Sequence, residues 1–377
     1  MKSYKFRIYP NRQQVQILSQ TIETCRSLYN QSLEERLKDK DLKYYEQKRN
    51  LTQKRKVITS LKRVHSQVLQ NVVWRLERAF QNYHRDRKIG QPNFKRHVRY
   101  NSITYPQYGS FCIKENKLKL AFIDGLIKLK LHRSFVAEKI KTCTIVRDID
   151  RWFACFSCNN DIQKSGSSDI VGVDLGLLNW MMLSNGEIID RPRFLGASIE
   201  RVKRLQRSLS RKKKGSKNRE KARIELAKSW RKVRLQRDDY CQKITTRLAK
   251  RFGKIVFEKL SIDKMVKNHN LAQSILDSTW YRIRQLAACK AEVIIVDPSN
   301  TTQRCSCCGS MPEKKIDLKV RVYKCSSCGL VLNRDHNAAL EILRKGLEQT
   351  HIEKLPLLDK TSKLFRGSMK PTSFMSG

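Results

Sequence analysis

Two short cysteine clusters limit how this chain can fold more than any other stretch. They read Cys305-Ser-Cys-Cys308-Gly309 and Cys325-Ser-Ser-Cys328-Gly329, with sixteen residues between Cys308 and Cys325. Each CxxCG cluster presents two thiolates from one tight turn, and the glycine that follows relieves the turn. Four thiolates converging on one tetrahedral zinc ion define a ribbon over residues 301–330. Such a site is structural, because four sulfurs leave no open position for a reacting group. Cys307 sits inside the first cluster, either as a spare sulfur or as a ligand that can swap in. Five of the chain's twelve cysteines fall between Cys305 and Cys328, a clustering that indicates metal binding in a reducing compartment. Cys155-x-x-Cys158 is different. It lies in a strand pattern among Trp152, Phe153 and Phe156, has no second pair nearby, and reads as buried and structural.

The charge balance narrows the partners. Lys and Arg number 79 against 35 Asp and Glu, for a formal net charge of +44 in 377 residues. A field of that sign attracts polyanions and makes binding to nucleic acid salt-dependent. No run is long enough for a spanning helix, and the N-terminus, MKSYKFRIYP, lacks the apolar core of a signal peptide. The basic residues concentrate at 191–237, with 19 Lys or Arg against three Glu. At that density self-repulsion disfavours a merely solvated face, and a phosphate partner is the better reading. Arg211, Lys212, Lys213, Lys214, Lys217, Arg219, Lys221 and Arg223 are the candidate nucleic-acid contacts. They fall on two basic helices joined at Gly215-Ser216, and a separate helix is expected over Tyr240–Phe252. Lys212–Lys214 also has the composition of a weak nuclear-localisation signal.

Periodicity divides the first half. Residues 2–9 alternate as a strand closed by Pro10. From Asn11 the spacing turns helical through Tyr29, with a second helix expected at Leu33–Leu37 and a third over Ser66–Tyr83. After Gly90 and Pro92 come strands at Ser102–Tyr105, Ser110–Ile113, Lys117–Leu120, Leu126–Leu131, Lys141–Asp148 and Arg151–Cys158. A strand, a helical insertion and more strands indicate a β-barrel (1–10 and 91–162) interrupted by a helical domain (11–90). Tyr100, Tyr105, Tyr108 and Phe111 mix with Lys95, Arg96, His97 and Arg99. That mixture suits base stacking with phosphate contacts, or equally a half-buried strand with a solvated face. A Ser/Gly-rich linker at 163–169 separates the second half.

Three acids mark that second half. Asp174 follows the apolar run Ile170–Val173, ahead of a hairpin turn signalled by Asn185-Gly186, and Glu258 follows the strand Lys254–Phe257. Asp335 opens the amphipathic helix that contains Ala338, Ala339, Ile342 and Leu343. A buried carboxylate needs a cation or backbone N–H groups, so Asp174 is either capped or a ligand awaiting positive charge. For Asp335 alone, an N-cap is the simpler reading. Taken together, carboxylates from separate elements can meet at one end of a sheet. There they would hold Mg²⁺ ions about 3.5–4 Å apart for phosphodiester hydrolysis.

As an ordered set, these motifs resemble the TnpB proteins, transposon-encoded RNA-guided DNA endonucleases related to type V CRISPR effectors and to Fanzor proteins. The matching stretches are FRIYP (6–10), LQNVVWRLERAF (69–80), KIGQPNFKRHVRYNSITYPQ (88–107), GVDLG (172–176), KGSKNREKAR (214–223), IVFEKLSI (255–262), KNHNLAQSILDSTW (267–280) and the knuckles followed by NRDHNAAL. The resemblance implies a multidomain α+β chain. A wedge-type, OB-like barrel interrupted by a helical recognition domain precedes an RNase H-like (RuvC) α/β nuclease domain (170–300 and 331–348). A zinc ribbon is inserted in the nuclease, and the tail at 349–377 is expected to be disordered.

Asp174, Glu258 and Asp335 fall on the family's three catalytic, Mg²⁺-binding acids. Cys305, Cys308, Cys325 and Cys328 fall on its structural zinc site. The implied partners are a guide RNA from the transposon end and double-stranded target DNA beside a short motif, with no membrane and no small-molecule substrate. The implied location is the prokaryotic cytoplasm, or the nucleus in a eukaryotic source. A nuclease-impaired RNA-guided repressor and a compact type V effector are alternatives, and a DNA-joining transposase is a third. Two departures stand out. Asn333 replaces an Asp that is frequent in the family. Trp280–Val296 is about one helical turn short, which predicts a helix ending near Ala288.

Overall fold

The computed structural model describes residues 2–133, 140–159, 167–177, 179–190, 194–261, 265, 267, 279–317 and 320–350. The tail at 351–377, most of the KNHNLAQSILDSTW stretch and the first part of the linker lie outside the described residues. The chain divides into two compact units, residues 1–162 and 163–377.

In the first unit, β1 (Lys2–Tyr9) buries Tyr4, Phe6 and Ile8, the alternation its sequence carries. Asn11 and Gln14 then form a reciprocal capping box, with Gln14 N donating to Asn11 Oδ1 at 2.8 Å, and α1 (Arg12–Lys38) begins. The break expected before Leu33 does not occur. No glycine or proline interrupts these residues, and Leu33 continues the buried face of Leu18, Ile22, Cys25 and Tyr29. Helices α2 (Tyr44–Val57), α3 (Thr59–Lys62) and α4 (Ser66–Arg85) follow. Arg75 of α4 reaches Ser102 O at 2.9 Å and Thr104 Oγ1 at 2.7 Å, which ties α4 to the barrel.

The remaining strands of this unit are β2 (Ser102–Tyr105), β3 (Phe111–Lys114), β4 (Lys117–Leu120), β5 (Ile127–Lys130), β6 (Ile140–Asp148) and β7 (Arg151–Cys158). They make an antiparallel sheet in the order β2-β6-β7-β1-β5-β4-β3. The sheet curls into a nearly closed barrel. Phe111 on one edge packs 6.3 Å from Phe156 near the centre, and Tyr105 Oη of the opposite edge donates to Ala121 O at 3.4 Å. Tyr100, Tyr105 and Phe111 are therefore core residues, and of that aromatic group Tyr108 alone is exposed. Of the Cys155-x-x-Cys158 pair, Cys158 is buried in β7 as expected, whereas Cys155 is only partly buried; both are free thiols. The helical insertion and the barrel share one hydrophobic core.

The second unit starts with β8 (Ile170–Asp174), β9 (Met181–Leu183) and β10 (Ile188–Ile189), the last two joined at Asn185-Gly186. Helix α5 (Phe194–Ser210) leads to α6 (Lys217–Arg251), one continuous helix of 35 residues. The separate helix expected from Tyr240 is its last part, because nothing between Lys217 and Arg251 can stop it. Then come β11 (Lys254–Glu258), α7 (Trp280–Ala288), β12 (Glu292–Val296), the hairpin of β13 (Val322–Lys324) and β14 (Val331–Asn333), and α8 (Arg334–Gln349).

Five strands form a sheet in the order β10-β9-β8-β11-β12, with β8, β11 and β12 parallel. The short connection resolves as expected. Helix α7 stops at Ala288, three residues turn the chain, and β12 pairs with β11 from Lys254↔Glu292 through Glu258↔Val296. Trp280, Ile283 and Ala287 are buried in the core, so the sheet beside Asp174 is complete despite the shortened helix.

Candidate metal centres

The ribbon is built by local turns. Gly309 N donates to Cys305 O at 2.9 Å and Gly329 N to Cys325 O at 3.0 Å. Both glycines adopt positive φ, 75° and 71°, which accounts for glycine after each CxxC. The β13–β14 hairpin carries the second knuckle, and Tyr323 packs between Cys305 and Cys325. Cys305, Cys308, Cys325 and Cys328 each offer a sulfur, and the four sulfurs all lie within 4.8 Å of one another. Cys307 is exposed and outside this group. The Ser310 hydroxyl lies 3.3 Å from Cys325 Sγ and holds that thiol down at about 6. A thiol deprotonated near neutral pH is what a thiophilic cation requires. Burial raises the Cys305 thiol instead, so it is the convergence of the four sulfurs that suits the cluster to a zinc ion.

The acids come from three elements. Asp174 ends β8 and Glu258 ends β11, its parallel neighbour, where Val173 pairs with Phe257. The two side chains thus leave the same end of the sheet. Asp335 is the second residue of α8, which lies directly on β8. A Cβ at Gly172 would sit 2.2 Å from Ala339 O, so glycine is what allows this approach. Desolvation pushes the Asp174 carboxyl up to about 8, and the neighbouring Glu258 and Asp335 push it the same way. Glu258 is also raised by burial, and the Thr301 hydroxyl that donates to its Oε1 draws it partly back. Asp335 accepts from Asn179 Nδ2 at 3.2 Å and lies 3.4 Å from Arg334 Nη2. Asp335 is not the N-cap. Asn333 caps α8, accepting from the backbone N of Asp335 and His336 at 2.9 and 3.4 Å, which leaves the Asp335 carboxyl for other partners. The Asn that departs from the family pattern therefore has a structural task.

Arg334 is the cation the buried Asp174 calls for, since it pulls the Asp174 carboxyl back toward the charged form. Arg321 Nη1 also lies 3.9 Å from Asp335 Oδ1 and Lys345 draws Glu258 down, yet the Asp174 carboxyl stays at about 8, so the group remains short of positive charge. Unlike the sulfurs, the carboxylates do not close within 4.8 Å of one another. A divalent cation held between them would supply the missing charge.

The basic hairpin places its residues unequally. Lys212, Lys213 and Lys214 lie in the turn between α5 and α6, and Lys217 and Lys221 in the first turns of α6. Arg219 has turned inward, where its Nη1 holds Leu209 O at 2.9 Å and Lys212 O at 2.8 Å. Arg223 pairs with Glu220. Arg219 thus builds the turn that presents the lysines. Sequence reasoning did not single out Arg334, Thr301 or Asn179. Arg334 had one available signal, its position directly before Asp335, whereas the other two are brought in by folding alone.

Three family models match the chain. A helix-turn-helix domain matches residues 1–48, the OrfB_IS605 family described as "Probable transposase" matches 154–269, and a Cas12f1-like TNB domain matches 280–342. A Streptomyces pristinaespiralis protein named "Putative RNA-guided DNA endonuclease" is 30% identical over 364 residues, covering 92% of this chain and 89% of that protein. An Escherichia coli K12 protein of the same description, InsQ, is 27% identical over 375 residues, covering 92% of each. Among solved structures, a Cas12f1–sgRNA–target DNA complex has a chain of similar fold, with a TM-score of 0.57 at 17% identity, covering 88% of this chain and 83% of that one. No described helix is long and apolar enough to cross a membrane.

Proposed function

This chain belongs to the TnpB family of RNA-guided DNA endonucleases, and from that premise we propose that it cuts guide-matched double-stranded DNA at Asp174, Glu258 and Asp335. One observation carries the assignment to these residues. Three acids from distant elements lie close enough that Glu258 and Asp335 raise the Asp174 carboxyl. Carboxylates perturbed by one another in this way are characteristic of functional sites, and a bound cation would relieve the repulsion. Mg²⁺ ions bound there would activate a water and stabilise the leaving oxygen of a phosphodiester. The protein's own part is to fix the ligands. Strand ends hold Asp174 and Glu258, the first turn of α8 holds Asp335, and Arg334 limits the repulsion until the cation arrives.

The five-stranded sheet with α8 across it supports an RNase H-like, RuvC-type reading of the second unit. Zinc in the ribbon is supported by the converging sulfurs. The lysines at 212–214, 217 and 221 contact phosphates of guide or target, while the barrel and its helices read the guide and the short target-adjacent motif. The guide is an RNA from the transposon end. A nuclease-impaired repressor finds no support, since all three acids are present and the sheet around them is complete.

The test is cleavage of a matched plasmid by chain purified with its RNA, with and without Mg²⁺. Wild-type protein is expected to cut only with the metal. Asp174→Ala is expected to lower the rate by at least about 10²-fold, the scale on which loss of one preorganised electrostatic group reduces kcat. Intact DNA under saturating guide and Mg²⁺ would overturn the nuclease reading. Sequencing the copurified RNA tests the guide: one structured RNA with a variable end supports it, and random cellular RNA contradicts it.

A further inference from the structure

The ribbon and the acids are not separate features of the second unit. Thr301, at the first residue of the ribbon segment, is 2% exposed, and its hydroxyl donates to Glu258 Oε1. The same oxygen lies 3.1 Å from Pro298 O, so one proton has two possible acceptors. The charged carboxylate is the stronger. A second tie comes from Asn337, two residues beyond Asp335 on α8 and fully buried. Its Oδ1 accepts from Ser306 N at 2.9 Å, and its Nδ2 donates to Arg304 O at 2.8 Å. Ser306 lies within the first knuckle, beside Cys305. The backbone adds a third tie, Arg334 N to Arg321 O at 2.9 Å. Each ribbon contact thus lands on a catalytic acid or on the helix that carries one. The Asn337 tie depends on the first knuckle keeping its shape, which the four sulfurs alone do not guarantee without a bound ion.

We propose that Thr301 and Asn337 are positioning residues through which the metal-loaded ribbon sets the divalent-cation affinity of the Asp174–Glu258–Asp335 cluster. This rests on the reading of those acids as a cation site. Thr301 aims Glu258, Asn337 sets the depth of α8 against the ribbon, and ribbon zinc is a precondition for the acid site. Ligand-orienting neighbours of this kind commonly change metal affinity by about 10–100-fold.

The probe is Mn²⁺, titrated by electron paramagnetic resonance into the full chain freed of nucleic acid, with zinc content measured on the same samples. Thr301→Val removes the donor and keeps the shape. It is expected to retain its zinc and to bind Mn²⁺ about 10-fold more weakly. Thr301→Ser is expected to restore wild-type affinity, and the Mg²⁺ concentration for half-maximal cleavage should move in parallel. Cys325→Ser, which loses the ribbon zinc, should weaken Mn²⁺ binding in the same way without touching either tie. That variant still decides the matter if Thr301→Val does not fold. Unchanged Mn²⁺ affinity in Thr301→Val or in the zinc-free chain overturns the proposal while wild type still binds Mn²⁺ and cuts. A wild-type chain that neither binds Mn²⁺ nor cuts ends the nuclease reading, and this inference with it.

Discussion

Cys305, Cys308, Cys325 and Cys328 bring their sulfurs within 4.8 Å of one another, whereas Asp174, Glu258 and Asp335 face one region of the same unit without closing that far. The two sets differ in how like ligands are brought together. The thiols arise from two tight turns on neighbouring segments, so short-range geometry delivers them. The carboxylates come from β8, β11 and α8, far apart in the chain, and long-range packing must hold them against mutual repulsion. A ribbon of this kind assembles from local instructions. An acid cluster exists only if the whole sheet forms.

That contrast can be tested by breaking each side. The largest effect is expected at the ribbon. Cys325→Ser should lose bound zinc, a binding free energy on the order of 10 kcal/mol in small zinc sites. Amide-exchange protection should then vanish over 301–330 and persist in β8, β11 and β12. Loss of protection in the sheet as well would mean that the ribbon is not an independent local unit.

Relief of the acids comes next in size. The folded Asp174 carboxyl stands at about 8, above its ordinary 3.8, so the folded state binds more protons between those values. Metal-free stability should therefore fall as pH rises from about 4 to about 8. Asp174→Asn removes this loss. It should match wild type near pH 4 and exceed it at pH 8 by up to several kcal/mol, on the order of 1.4 kcal/mol for each tenfold change in proton affinity. Urea unfolding across pH measures this, and parallel curves for the two proteins would show that the carboxyl is not under strain. Bound Mg²⁺ should flatten the wild-type curve.

The smallest effect probes the packing itself. Gly172→Ala places a Cβ against Ala339 O and forces α8 off β8, at a cost of about 1–3 kcal/mol. Cleavage should fall while zinc content stays at wild type. If zinc content falls with cleavage, the ties through Asn337 and Arg334 act on the knuckles as strongly as on the acids.

Legibility followed the same division. The knuckles, the glycine after each, the Asn185-Gly186 turn and the alternating strands could be read directly, because each is a short-range pattern. The shortened helix ending at Ala288 could be read from residue count alone. Errors arose where a local signal had no tertiary check. A break was expected before Leu33 and before Tyr240, yet α1 and α6 run on, since their apolar residues find partners without one. Tyr105 and Phe111 looked equally suited to bases or to a core, and barrel closure buried them. Asp335 looked like a cap until the structure gave that task to Asn333.

The sequence by itself determined the four-cysteine ribbon, the basic surface, the alternating strands and the three acids at element ends, because turn geometry, charge and periodicity act over a few residues. Tertiary structure decided which charges neutralise which. It brought Arg334 toward Asp174, turned Arg219 inward to build its own loop, and placed Thr301 on Glu258 and Asn337 on the first knuckle. Those pairings span up to 160 residues of chain, as between Asp174 and Arg334. No short-range rule can specify them, because they depend on where the sheet and its covering helix place each side chain.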